Sequence, residues 1–240
     1  MINSLRQISL STQIKILRHY LINRNKSKSF SKKNKGSLID AITTMYEYLG
    51  RKLYSMYRYR GVVDLKGAKL SAAESLGRVA EDIAYIKHKI IEKEEEIKDA
   101  VYIELEYDMS EKEYNRIMYK INSLEQYIGY VVKDVRETRI CLETINLDSD
   151  EKTEAQKVEK CLNWAYRLVD SVASLMKLMD DIVELANRYS INRVSTIIDS
   201  EIMPVATNCF MESSLAAAHI QRIGAKYGIK VEHKIQKDSI

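Results

Sequence analysis

The chain has 240 residues, 45% hydrophobic and 30% charged, too apolar for a disordered chain and too charged for a membrane-spanning one. One proline and eight glycines leave too few turns for a sheet-rich fold, which needs a turn signal about every ten residues, so the expected class is all-α. The net charge of +4 hides a polarity: residues 1–70 hold fifteen Lys/Arg against Asp40, Glu47 and Asp64, a net of +12, while the rest of the chain carries 23 bases against 31 acids, a net of −8.

The first expected element is a short, imperfectly amphipathic helix over residues 5–22, where Leu5, Ile8, Ile16 and Leu21 lie among Arg6, Lys15, Arg18 and His19. The charges interrupt it too often for a secretory leader, and no later window is apolar enough to span a membrane. Residues 23–36 form a Lys/Ser-rich arm with nothing to bury. Leu38, Ile42, Met45, Leu49, Leu53 and Met56 then recur on one helical face, and the end of that helix interleaves Tyr54, Tyr57 and Tyr59 with Arg51, Lys52, Arg58 and Arg60. Gly61 and Gly67 bracket an expected break. Residues 1–66 therefore read as a basic N-terminal extension of two helices and a linker, residues 67–227 as a helical core, and residues 228–240 as a loose tail.

The core opens with a helix expected over residues 69–106, with Leu70, Ala73, Leu76, Ala80, Ile83, Ile90, Ile97, Val101 and Leu105 on its apolar side. Residues 107–110 should reverse the chain, because Ser110 and Glu113 have the spacing of a capping box. Tyr114, Ile117, Ile121, Leu124, Ile128, Val131, Val135, Leu142 and Ile145 follow at alternating steps of three and four, with a turn skipped at Thr138. Two helices of roughly 50 Å joined by a short turn imply an elongated antiparallel hairpin. After a polar break at residues 146–150, Val158, Cys161, Ala165, Leu168, Val172, Leu175, Met179, Ile182, Ala186 and Tyr189 keep the alternation. Shorter C-terminal helices are expected over residues 191–202, broken near Pro204, and over residues 211–227. The regular seams, at Leu124, Val131, Leu142, Leu168, Val172, Leu175, Met179 and Ile182, are expected to join subunits.

Little in the sequence points to catalysis. His19, His88, His219 and His233 are scattered, and the glycines form neither a phosphate-binding loop nor a nucleophile elbow. Glu74, Glu81 and Asp82, and separately Asp170, Asp180, Asp181 and Glu184, lack the Glu-x-x-His partner of a di-iron bundle and read as solvated acidic faces. No cofactor or metal is expected, and no enzyme. Cys141, Cys161 and Cys209 fall on apolar stripes and read as buried free thiols of a reducing compartment. The residues expected to contact a polyanion are Arg18, Arg24, Lys26, Lys28, Lys32, Lys33, Lys35, Arg51, Lys52, Arg58 and Arg60, since clustered base with interleaved tyrosine suits an anionic membrane or a nucleic acid.

Val135-Arg136-Glu137-Thr138-Arg139-Ile140-Cys141-Leu142-Glu143-Thr144-Ile145 resembles the "V-R-L-x-L-E-T-I/V" phrase late in the second helix of archaeal ESCRT-III (CdvB-type) proteins. Asp108-Met109-Ser110-Glu111-Lys112-Glu113-Tyr114 stands where that family turns between its first two helices, and Leu175-Met176-Lys177-Leu178-Met179-Asp180-Asp181-Ile182 is similar to its third. The resemblance covers about residues 70–205. It implies a cytoplasmic filament subunit that lays a basic surface on the inner face of a membrane for remodelling, scission or cell division. It also implies a disassembly AAA ATPase as partner, although the single Pro204 leaves no proline-rich recruiting motif. The alternative is a helical structural protein that coats nucleic acid. A third reading starts from residues 74–83, which are similar to a PhoU-like regulator; they lack that family's clustered acids and have no second copy in the chain.

Overall fold

The computed structural model describes residues 64–107, 109–149 and 151–229, and the side chains of all of these except residues 104–107. The chain divides into two units, Met1–Ser37 and Leu38–Ile240, and every described residue belongs to the second. The protein is all-α: among the described residues there is no strand.

Helix α1 spans Leu65–Tyr107, starting two residues before Gly67. Asp64 caps it, since the Gly67 amide donates to Asp64 Oδ1 at 2.8 Å. A Cβ on Gly67 would stand 2.2 Å from Asp64 Oδ2, so the glycine belongs to the cap and not to a break. Helix α2 spans Glu111–Thr144. It opens on the expected capping box, in which Ser110 accepts from the Glu113 amide while the Glu113 carboxylate accepts from the Ser110 backbone, satisfying two of the orphan donors of a helix start. Helix α3 spans Lys152–Arg188. Its C-terminus closes through Ser190, whose φ of 62 lets the Ile191 amide reach the Ala186 carbonyl at 2.8 Å.

The C-terminal third differs from expectation. Helix α4, Asn192–Thr196, runs without interruption into a π-helical segment, Ile197–Ile202, and then into α5, Met203–Lys226. The Met203 amide donates to Ile198, five residues back. Pro204 has no N–H and would crowd the carbonyl four residues before it. Wider winding of the preceding turn and a place in the first turn of α5 accommodate both problems, so the chain continues as helix where a break was expected. Met211 lies inside α5 and does not begin a helix.

Four arms result: α1, α2, α3 and the α4–α5 arm. Lys69 Nζ, near the start of α1, donates to Ile145 O just past the end of α2 at 2.6 Å, so these two run antiparallel. Between α2 and α3, Lys120 pairs with Asp181 and Asp134 with Arg167; between α1 and α5, Arg78 pairs with Glu212 and Asp82 with Asn208. In each set one number rises as the other falls, the mark of antiparallel packing. α1 packs on α2, α2 on α3, α3 on α5 and α5 on α1, while the diagonal pairs barely meet. This is an up-down-up-down four-helix bundle, in which the expected hairpin is one side.

The core explains the register. On α3 all of Val158, Cys161, Ala165, Leu168, Val172, Leu175, Met179, Ile182 and Ala186 are fully buried. On α2 the expected stripe is buried from Ile117 to Ile145, and the skipped turn is filled by Thr138, also fully buried, whose hydroxyl donates to Asp134 O at 2.7 Å. On α1 the expected stripe holds at Leu76, Ile83, Ile97 and Val101 but not near its start. There the buried side is Ala68, Ala72, Leu76 and Val79, and Leu70 is exposed. The residues at 68 and 72 are small and buried, whereas the larger Leu70 is exposed.

Candidate functional site

The eight residues expected to join subunits all lie in the core of the single chain: Leu124, Val131, Leu142, Leu168, Val172, Leu175, Met179 and Ile182 are each at most 2% exposed. The regular spacing that suggested a seam between chains is the spacing a four-helix bundle needs inside one chain. The eleven residues expected to touch a polyanion, Arg18, Arg24, Lys26, Lys28, Lys32, Lys33, Lys35, Arg51, Lys52, Arg58 and Arg60, lie outside the described residues.

Two buried acids make contacts between helices of the bundle. Asp134, 1% exposed, sits between α2 and α3, where Arg167 Nε approaches its Oδ1 at 3.1 Å and the Ser171 hydroxyl donates to its Oδ2. The Arg167 guanidinium also lies 5.2 Å from the centre of the Trp164 ring, a cation–π contact. Glu212 is buried on α5 and accepts from Arg78 Nη1 at 3.0 Å. Burial pushes the Cys161 thiol up to about 12 and raises those of Cys141 and Cys209, so at neutral pH all three stay protonated and poor nucleophiles. All three are free and buried, as their stripe positions imply. Burial also pulls the His219 imidazole below its usual range. Among the described residues no group of three or more His, Cys, Asp or Glu side chains is placed to hold a metal ion, and no helix is long and apolar enough to cross a membrane.

What the bundle exposes is more specific. Along the outside of α2, Asn115, Tyr119, Asn122, Gln126, Gly129, Lys133, Arg136, Ile140 and Glu143 recur at alternating steps of four and three, and every one is exposed. This stripe lies out of phase with the buried one, so α2 has two regular faces and the bundle covers only one. At the α2–α3 edge Arg116, Tyr119, Tyr127 and Tyr130 line an open recess over Leu178. The Tyr127 and Tyr130 rings are tilted by 58° with centroids 5.9 Å apart, and the Gln126 amide donates to the Tyr130 hydroxyl. Tyr119 stands 74% exposed. Lys120 Nζ bonds Asp181 Oδ2 at 2.7 Å and ties the recess wall to α3. Exposed tyrosine and arginine with Asn, Gln and Gly match the composition of protein contact surfaces, where aromatics supply area and small polar residues supply adaptable hydrogen bonds. The sequence carries this signal in a second periodic stripe that is polar and therefore silent as core.

No family model, curated protein or solved structure matches the chain.

Proposed function

We propose that the protein is a non-enzymatic, self-assembling structural protein of the cytoplasmic membrane surface, in the manner of the ESCRT-III-type filament subunits it resembles. The observation that supports this reading is the division of charge, +12 on residues 1–70 and −8 on the remainder. A basic segment near anionic lipid gains about 1 kcal/mol per Lys or Arg, enough to hold an acidic helical body at the membrane. The bundle is then the building block. Because its heptad seams are internal, subunits meet through exposed side chains and not through those seams. A disassembly ATPase as a further partner rests on the resemblance alone.

Tyrosines interleaved with Arg51, Arg58 and Arg60 favour a second reading, nucleic-acid coating, since tyrosine can stack on bases. Vesicle flotation of the full chain tests the first. Lipid association predicts binding that rises with the anionic lipid fraction, and equal recovery with neutral and anionic vesicles would overturn the membrane reading.

A further inference from the structure

The exposed stripe of α2 is self-complementary, and we infer that it is the contact face for a second copy of this chain, laid antiparallel across a two-fold axis at Gly129. The inference rests on the self-assembly in the reading above and names one contact within it, a closed pair to which a filament would add a second, different contact.

Gly129 is the first observation. A glycine inside a helix is destabilising relative to alanine, and a Cβ here would meet nothing within 4 Å. Packing among the described residues therefore gives no reason for it. A second helix pressed against this spot does, because the missing side chain lets two backbones approach closely. Gly129 also lies midway between Asn115 and Glu143, the ends of a stripe roughly 42 Å long at 1.5 Å per residue.

Charge is the second observation. With two copies of α2 antiparallel and Gly129 opposite Gly129, Glu125 of each copy comes level with Lys133 of the other, and Asn122 with Arg136. Each is a favourable match: an ion pair, and an amide carbonyl with a donor. None places like charges together. Glu125, Lys133, Arg136 and Arg139 are exposed and make no ion pair among the described residues, so their charges are available. Such an isologous contact uses the same patch on both subunits and closes on itself as a dimer. The steps of four and three keep the stripe on one side of the helix along its whole length.

Sedimentation equilibrium of the full-length protein tests this. Lys133→Glu and Glu125→Lys, each placing like charges opposite one another, should each weaken the dimer at least tenfold, and the double variant should restore it. Gly129→Leu should weaken it while circular dichroism shows the helix content unchanged. If the wild-type protein self-associates and these variants leave its association constant unaltered, or if the double variant is no better than the singles, the α2 face is not the contact although self-assembly stands. A wild-type protein that stays monomeric at every concentration, with and without anionic vesicles, overturns both the contact and the self-assembly it rests on.

Discussion

Leu168→Ala distinguishes an internal seam from one between chains. Leu168 is fully buried on α3, the helix that packs on both α2 and α5. The substitution deletes three carbons at about 0.8 kcal/mol each, and the cavity left behind brings the expected loss to about 3–4 kcal/mol. At about 3 °C per kcal/mol for a domain of this size, the melting temperature should fall by about 10 °C. Urea unfolding at two protein concentrations a factor of ten apart is the assay. Because the cavity lies within one chain, the loss should be the same at both concentrations. A loss below about 0.5 kcal/mol, within the range of surface substitutions, or one seen only in the more concentrated sample, would show that the seam is not internal.

Three further outcomes follow from local geometry. Ser110→Ala removes the cap of α2 and should cost about 1 kcal/mol, a fall of about 3 °C in melting temperature. Ser190→Gly should stabilise the α3–α4 turn by about 1 kcal/mol, because the φ of 62 is strained for a side chain and free for glycine; no gain in a urea melt would refute this. Burial between α1 and α5 holds the Asp82 carboxyl above its ordinary value of 3.8. Its protonated form therefore favours folding, and that contribution, full below the ordinary value, is lost as pH rises through the raised one. Asp82→Asn should flatten this fall in a series of urea melts from pH 3 to 7, and a slope identical to wild type would count against it.

Much of the bundle was legible because helices announce themselves by period. The α2 and α3 stripes, the Ser110 capping box and the reversal before it could be read one residue at a time. Three features could not. Leu70, Ala73 and Ala80 share a helical face with Leu76, so periodicity alone could not choose between that stripe and Ala68–Ala72–Val79; tertiary packing buries the second. Pro204 reads as a stop, and the π-helical turn that accommodates it leaves no periodic mark. Whether the seam of α3 is covered from within or by another chain is a tertiary matter, settled by α5, whose full length the sequence hides behind Pro204. The α2 outer stripe was present in the sequence but polar, and a search for apolar periods does not find it.

Attachment to anionic lipid through the basic N-terminal residues is tested by flotation of a charge-neutralised full-length variant. Changing Lys26, Lys28, Lys32, Lys33 and Lys35 to Gln removes five charges, worth roughly 5 kcal/mol at about 1 kcal/mol each, so binding to vesicles rich in anionic lipid should fall more than a thousandfold at low salt with helix content unchanged. Undiminished flotation of that variant would rule out attachment through these lysines.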